Sequence, residues 1–238
     1  MNFRIVHLTH LYGPRVTVEA GKFIDLQWQI PDSAGQPIAQ VGFEITAPMK
    51  TTGSIYLDYL TWVGAPSLTF SKPVQGGQLW KKAWVDSLQQ AMLSRFPFHL
   101  VQNEGKGLLT QGTSDWRDYS VSAIICPTIL RTGGIVLRAQ GVNRYYALVL
   151  CEDKKIRLIK SLEVKEKILG EMGFSWKPWK NVKLKLEVSG TRLRGYINRR
   201  LCFDVADDYS PLLSGAAGFL VDQGQIITPG MTITPISY

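Results

Sequence analysis

The feature that most constrains this chain is the regular interruption of short, alternating apolar segments by turn residues. Segments of about five to nine residues are separated by Gly, Pro, Asn, Asp and Ser along most of the 238 residues. Helical periodicity is scarce, and only the short stretch VDSLQQAML (85–93) is compatible with a helix, although it fits a loop as well. Alternation bounded by turn residues is typical of strands. The sequence therefore predicts an all-β protein made of β-sandwiches rather than a parallel α/β sheet.

The strands fall into two groups, which predicts two sandwich units. Candidate strands of the first group are FRIVHLTH, RVTVEA, FIDLQWQI, AQVGFEITAP and SIYLDYLTWVG. The stretch APSLTFSKPVQGGQ (65–78) then combines two prolines with adjacent glycines and has no apolar repeat, which indicates a boundary. We predict a small unit over residues 1–70, a linker over 71–79 and a larger two-sheet sandwich over 80–238.

One hairpin in the larger unit has a definite predicted register. In VKLKLEVSGTRLRGYI, Ser189 and Gly190 are suited to a two-residue turn. This turn leaves one apolar face and places Lys185 opposite Arg194 on the other. Like charges directly opposite each other weaken strand pairing, so these two side chains either spread into water or share an anion.

Positive charge is concentrated in one part of the chain. The formal net charge is +8, yet residues 131–200 alone hold 17 lysines and arginines against 6 acidic residues. Such a patch attracts phosphates or acidic glycans, or it is simply a solvated sheet face. It shows no stacking platform or nucleic-acid motif, so nucleic acid is not predicted as a partner.

Neither the cysteines nor the apolar segments indicate a secreted or membrane protein. The three cysteines, Cys126, Cys151 and Cys202, are widely spaced and match neither a disulfide framework nor a zinc pattern. No apolar run approaches the roughly 20 residues that span a bilayer, and the first residues alternate rather than forming a signal peptide. We expect a cytoplasmic protein without a membrane partner.

The sequence lacks a recognisable catalytic motif. Retaining glycosidases of the sandwich type place two carboxylates about 5 Å apart, in a pattern such as Glu-x-Asp-x-x-Glu, and no such pattern occurs here. There is also no nucleophile elbow, phosphate-binding Gly-rich loop or zinc motif. Catalysis within this chain is not expected.

An isolated acid, Asp58, stands in the otherwise apolar segment GSIYLDYLTWVGAP (53–66). On alternation, Ile55, Leu57 and Tyr59 share one strand face while Asp58 lies on the other. Residues 15–66 resemble the C-terminal half of a carbohydrate-binding jelly roll, whose last strand commonly carries such an acid. The resemblance implies either a structural calcium at Asp58 or a hydrogen-bonded structural aspartate. Calcium needs several oxygen ligands, and no other cofactor is predicted.

Residues 80–236 resemble the concanavalin A-like and laminin-G-like sandwiches. The stretches that carry this resemblance are KGLLTQGTSDWRDYSVSAII, GGIVLRAQGVNRYYALVL, KPWKNVKLKLEVSGTRLRGYINRRLCFDV and SGAAGFLV. The two units in this order are also similar to the C-terminal, non-catalytic region of large bacterial ADP-ribosylglycohydrolase-family proteins. That similarity implies an upstream catalytic domain as a partner.

Sugars stack on aromatic rings while polar side chains bind their hydroxyls, and the larger unit offers both kinds of residue. Arg138 and Gln140 share one face of a strand that suits a concave sheet, where laminin-G-like relatives often place ligands. The predicted ligand-binding residues are Arg138, Gln140, Arg144, Tyr145, Tyr146, Trp116 and Trp176. We therefore expect a lectin-like accessory region that binds carbohydrate or an ADP-ribose-like ligand. The alternative is a scaffold with no small-molecule ligand of its own.

Overall fold

The computed structural model of the chain describes residues 10–31, 36, 38–50, 52–62, 65–74, 79–163 and 165–236. Thirteen strands and one short 3-10 helix occur among these residues. No helix in the described part of the chain is long and apolar enough to cross a membrane. The all-β prediction is confirmed.

In the described part of the chain, the first secondary-structure element begins at Leu68. The 3-10 helix is Leu79–Ala83, and the strands are β1 Leu68–Phe70, β2 Val85–Asp86, β3 Gln90–Met92, β4 Phe98–Gln111, β5 Tyr119–Gly141, β6 Arg144–Cys151, β7 Lys155–Leu162, β8 Lys165–Gly173, β9 Val182–Ser189, β10 Arg192–Ile197, β11 Arg200–Ala206, β12 Ala216–Thr228 and β13 Met231–Pro235. The helix considered for residues 85–93 is not formed, because this stretch supplies two short strands, β2 and β3, that both pair with β4.

The strands form two antiparallel layers. Sheet A has the order β1-β13-β5-β9-β10-β11. Sheet B has the order β4-β12-β5-β6-β7-β8, and the short strands β2 and β3 both pair with β4. Strand β5 belongs to both layers, since its residues 119–125 pair with β9 of sheet A and its residues from 126 onward pair with β12 of sheet B.

The main hydrophobic core lies between the two sheets. Fully buried side chains from sheet A, such as Val121 and Leu186, join side chains from sheet B, such as Leu148 and Phe219, in one cluster. Leu148 also approaches Gly195 of β10, where an added Cβ would lie 3.3 Å from its methyl group. This close approach explains why a residue without a side chain occupies that inward position of β10.

The register of the β9–β10 hairpin differs from the predicted one. Arg192 pairs with Ser189 and Tyr196 pairs with Lys185, so the turn residues are Gly190 and Thr191. Gly190 has a φ of +55°, a conformation that glycine adopts without steric cost. The predicted faces are correct, but the predicted opposition of Lys185 and Arg194 is wrong, because Glu187 stands opposite Arg194.

The described residues before β1 differ from the strands that alternation predicted. No helix or strand is assigned among the described residues of 10–67, and FRIVHLTH lies almost entirely outside the described residues. Large apolar side chains are exposed along this segment, including Phe23 at 71%, Tyr56 at 89% and Trp62 at 71%. No strand of the partial jelly roll expected there is assigned among the described residues, and the division of the chain into two units stays a prediction.

Candidate functional site

Arg138 is the predicted ligand residue whose position in the structure differs most from expectation. Its side chain is 1% exposed. The guanidinium group donates hydrogen bonds to the backbone oxygens of Arg117, Gly190 and Leu212, and it pairs with Asp118 at 3.1 Å. Asp118 also accepts a hydrogen bond from the Gly190 N–H at 2.8 Å. These contacts give Arg138 a structural role, because its charge holds three loops together inside the protein.

The backbone explains why alternation misplaced Arg138. The residue has a φ of +48°, and the pairing of β5 with β6 is irregular between Leu137 and Gly141. A residue in the left-handed region interrupts the two-residue period of a strand. The face assigned to Arg138 from its neighbours therefore does not apply.

Tyr146 belongs to a second buried polar network. Its hydroxyl donates to Asp207 Oδ2 at 2.5 Å and accepts from the Leu212 N–H at 2.9 Å. Lys160 Nζ lies 2.6 Å from the same carboxylate oxygen, and the side chains of Lys160 and Asp207 are only 4% and 2% exposed. Burial, followed by the bond to Asp207, raises the pKa of Tyr146. This network attaches the segment after β11 to sheet B.

The remaining predicted aromatic residues are packing residues in this structure. Tyr145 is fully buried in a second apolar cluster. Trp116 is half-buried and stacks on Phe70 with ring centroids 6.3 Å apart. Trp176 packs against the main core, and its Nε1 donates to the carbonyl oxygen of Cys151 at 2.9 Å.

Of the predicted ligand-binding residues, only Gln140 and Arg144 are exposed. They lie at the end of the β5–β6 hairpin, where Arg144 Nε donates to Gln140 Oε1 at 3.3 Å. The Gln140 amide donates in turn to the Ser214 oxygen at 2.8 Å. A ligand contact by these two residues stays a prediction.

The acid at position 58 has no metal-binding neighbourhood in the structure. Asp58 is exposed and lies in the segment without strands. Across the described ranges there is no group of three or more His, Cys, Asp or Glu side chains that could hold a metal ion. The oxygen ligands that calcium requires are thus not assembled around Asp58 in the part of the chain that is described.

The outer face of sheet B is strongly curved and covered. Lys106 on β4 and Glu166 on β8 are separated by four strands, or about 24 Å along a flat sheet. Their charged atoms nevertheless lie 2.5 Å apart, so the sheet bends until its ends meet across this face. Beneath this bridge are the buried apolar side chains of the second cluster, including Val136, Ala147 and Ile159. Buried apolar side chains thus occupy the centre of this concave face, where accessible ligand-binding polar groups were expected.

The outer face of sheet A, in contrast, carries an open polar groove of about 500 Å³. Alternation places hydroxyls and cations outward on β13, β5, β9 and β10, while their neighbours in sequence face the core. The lining residues are Ser120, Ser122, Lys183, Lys185, Tyr196, Arg199, Thr232 and Thr234. We call this set the sheet A groove.

The strand register arranges the groove residues in rows. Thr232, Ser122, Lys185 and Tyr196 are successive partners across β13, β5, β9 and β10. In the next row Ser120 and Thr234 share a hydrogen bond of 2.7 Å. The first row therefore leads from two hydroxyl groups on one side of the groove to a lysine and a tyrosine on the other.

The aromatic side of the groove is held in place by one carboxylate. Tyr196 donates its hydroxyl hydrogen to Glu187 Oε2 at 2.9 Å, and Lys185 Nζ lies 2.6 Å from Glu187 Oε1. The ammonium group also sits 5.5 Å from the centre of the Tyr196 ring, a cation–π contact. Burial and the bond to Glu187 raise the pKa of Tyr196. Tyr196 is therefore a fixed, neutral ring at physiological pH.

The basic side of this groove is visible in the sequence as a local excess of lysine and arginine, and its hydroxyl side has a sequence pattern as well. The segments YSVSA (119–123) and MTITP (231–235) carry a serine or threonine at every second position. This alternation indicates an outward polar row on each strand. That the two strands are neighbours, separated by more than 100 residues in sequence, follows only from the fold.

Comparison with known proteins identifies the fold but not a family. No protein-family model matches the chain, and no curated protein matches it. Among solved structures, the carbohydrate-binding module CBM66 from Bacillus subtilis superposes with a TM-score of 0.58 at 16% identity, covering 63% of this chain and 94% of that one. A Bacillus subtilis protein of unknown function with a galectin-like fold gives 0.53 at 13% identity, covering 72% and 97%.

A third similar structure is the potassium-bound form of the Emp46p carbohydrate recognition domain. Its TM-score is 0.53 at 12% identity, and the match covers 71% of this chain and 97% of that one. At such low identity these likenesses establish the fold alone. The chain has the sandwich fold found in carbohydrate-binding modules and galectin-like, lectin-type domains.

Proposed function

We propose that this chain is a non-catalytic carbohydrate-binding domain and that the saccharide occupies the sheet A groove. One observation carries the proposal: a groove of about 500 Å³ in which four hydroxyl side chains face one tyrosine ring and three cations. Its volume lies within the range of about 300–1,000 Å³ typical of ligand sites.

The groove chemistry suits a sugar ring. A pyranose or furanose presents C–H groups on one face and hydroxyls around its edge, so it combines an aromatic contact with several polar ones. Tyr196 supplies the ring, and Ser122 and Thr232 supply adjacent hydroxyls that either donate or accept hydrogen bonds. Because Glu187 and Lys185 fix the tyrosine in advance, binding orders few additional groups.

Two further observations support this role. Similar structures include a carbohydrate-binding module and a carbohydrate recognition domain. The sequence also lacks the paired carboxylates that glycosidases of this type use.

Two finer steps belong to the same proposal. An ADP-ribose-like ligand would place its pyrophosphate against the lysines and its riboses against the hydroxyls. The resemblance of the sequence to the C-terminal region of ADP-ribosylglycohydrolase-family proteins supports a role as an accessory region of a larger hydrolase.

A thermal-shift and calorimetry screen of mono- and oligosaccharides, including ADP-ribose, tests the proposal. A saccharide at ten times its dissociation constant should stabilise the fold by about 1.4 kcal/mol, which raises the melting temperature by roughly 3–6 °C for a domain of this size. Tyr196→Ala should abolish the shift for the active saccharide. The matched control is Tyr209→Ala, because Tyr209 is 82% exposed and does not line the groove.

Two outcomes contradict the proposal. Retained affinity in Tyr196→Ala, with Tyr209→Ala as the reference, places any saccharide outside the groove. No response to any saccharide favours the alternative of a scaffold without a small-molecule ligand.

A further inference from the structure

Two cations of the sheet A groove differ from the other charged residues on the same sheet face. Arg192 and Arg194 both pair with Asp204, and Lys185 pairs with Glu187. In the described part of the chain, the Lys183 ammonium and the Arg199 guanidinium have no carboxylate partner. Uncompensated charge in a groove focuses the electrostatic field on whatever enters it.

The backbone brings these two residues to the same edge of the groove. Asn198 and Arg199 form the two-residue turn between β10 and β11, in which Ile197 pairs with Arg200. The Asn198 N–H donates to the Lys183 oxygen at 2.8 Å, and Asn198 Oδ1 accepts from the Lys183 N–H at 3.0 Å. This pair of hydrogen bonds holds the turn next to the backbone of Lys183.

Arg199 occupies a turn position that favours glycine. Asn198 and Arg199 have φ values of +47° and +74°, as a type I′ turn requires. The preferred residues for such a turn are Asn followed by Gly, because glycine adopts positive φ without a steric penalty. Arginine at the second position strains the backbone while it places a cation at the groove. Strain retained at a ligand-facing residue suggests a functional use for that residue.

We propose that the sheet A groove selects saccharides carrying a negatively charged group, and that Lys183 and Arg199 bind that group. This inference rests on the proposed function, and it adds the chemical class of the ligand. The shared chemistry is a sugar with an anion attached, whether the carboxylate of a uronate, a sulfate ester or a phosphate. In this arrangement the uncharged part of the sugar meets Tyr196 and the hydroxyl rows.

Calorimetric titration with matched saccharides tests the charge requirement. Trigalacturonate is compared with its fully methyl-esterified form, which keeps the sugar backbone and removes the charge. A chondroitin sulfate tetrasaccharide and ADP-ribose serve as the sulfate and phosphate arms, and the peptide pentaglutamate serves as a polyanion that contains no sugar. We expect at least one anionic saccharide to bind, with trigalacturonate at least about tenfold tighter than its ester if the anion is a carboxylate.

Variants test the two assigned residues. The double substitution Lys183→Ala with Arg199→Ala should weaken binding of the anionic saccharide by about tenfold or more. The control pair Arg95→Ala with Lys165→Ala removes the same charge from exposed positions outside the groove and should leave the affinity unchanged. An equal loss in both pairs would show that only the overall charge matters, which overturns the assignment.

Arg199→Gly separates a ligand role from a merely structural one. Glycine removes the backbone strain of the turn, so the melting temperature should rise. Loss of the guanidinium should at the same time reduce the affinity for the anionic saccharide. A more stable protein with unchanged affinity would remove Arg199 from the site.

The remaining outcomes distinguish the two proposals. Neutral saccharides that bind as tightly as anionic ones, with binding lost in Tyr196→Ala, overturn the charge selectivity and leave the carbohydrate-binding function standing. Equal affinity for pentaglutamate overturns the requirement for a saccharide. No binding by any neutral or anionic saccharide overturns both proposals.

Discussion

Residues 10–62 and the sandwich that follows have similar alternation but different structures. Leu57 and Tyr59 flank the polar Asp58 just as Leu184 and Leu186 of β9 flank Lys185. In the structure, Leu57 is 57% exposed and Tyr59 is 54% exposed, whereas Leu184 and Leu186 are fully buried. The difference shows that alternation specifies which side chains can share a face. A strand also needs partners to pair with and a second layer to cover that face.

The two regions differ in what surrounds them. Strand β9 pairs on both sides, with β5 and with β10, and its apolar face lies against sheet B. The segment around Leu57 has no strand partner among the described residues, and the exposed Tyr59 hydroxyl donates a hydrogen bond to Asp25 Oδ1 at 3.2 Å. Burial of a leucine side chain stabilises a folded protein by about 1.5–3 kcal/mol. Leu184 and Leu186 of the sandwich are buried and contribute this stabilisation, whereas Leu57 is exposed and does not.

Each of the two regions contains a carboxylate near apolar residues. Replacing these two acids should give the largest difference in lost stability between the regions. Asp207→Ala leaves the nearly buried Lys160 without its ion-pair partner, which should destabilise the protein by about 3–5 kcal/mol. Asp58→Ala removes an exposed side chain and should change stability by less than about 0.5 kcal/mol. Urea denaturation of both variants measures the difference. A comparable loss in Asp58→Ala would mean that Asp58 has a buried partner that this structure does not contain.

A leucine-to-alanine substitution made in each region should give the next largest difference in lost stability. Leu148 is fully buried between the sheets, so Leu148→Ala should cost about 2–5 kcal/mol through lost burial and the cavity it leaves. Leu57→Ala should stay within about 0.5 kcal/mol. Equal destabilisation, measured as the shift of the urea midpoint, would contradict the exposed position of Leu57 and would favour the jelly roll predicted for residues 1–70.

The smallest effect concerns the surface ion pairs of the sandwich and depends on pH. Hydrogen bonds from Arg192 lower the pKa of Asp204 below its usual 3.8, and those from Lys155 and Arg157 lower the pKa of Glu171 below its usual 4.5. A carboxyl group with a lowered pKa in the folded state stabilises the fold above its unfolded pKa and loses that contribution as pH falls through the folded value. Stability should therefore fall below about pH 4.

Carboxamide variants separate this effect from general acid unfolding. Asp204→Asn and Glu171→Gln should be slightly less stable than the unmodified protein at pH 6, and the difference should shrink towards pH 3. A difference of equal size at both pH values would show that the charges are not responsible.

The sequence predicts the strands and faces of the sandwich well, because each follows from local alternation. The β9–β10 hairpin shows where this information ends. Both faces were predicted correctly, yet the turn lies one residue later in the chain, at Gly190 and Thr191. Asp118 and Arg138 bind the Gly190 backbone from distant parts of the chain, and nothing within the hairpin sequence reveals these contacts.

The candidate site was only partly predictable for the same reason. The basic residues of β9 and β10 and the hydroxyl residues of β5 and β13 are visible as separate patterns. These residues come together in one groove only because β13, β5, β9 and β10 are neighbours in sheet A, and the sequence alone does not show that strand order. Arg138 was assigned to an accessible face because its neighbours alternate, and its positive φ is set by tertiary packing that no local pattern shows.

The membership of β5 in both sheets has a consequence for how the sandwich opens. Its first residues hydrogen-bond to β9 and β13, and the rest of the same strand bonds to β12 and β6. Opening either layer therefore disturbs the backbone of the other, so the two layers should behave as a single cooperative unit. In native-state hydrogen exchange, the amide hydrogens of β5 should show one common opening free energy on both sides of Ile125, equal to that of global unfolding.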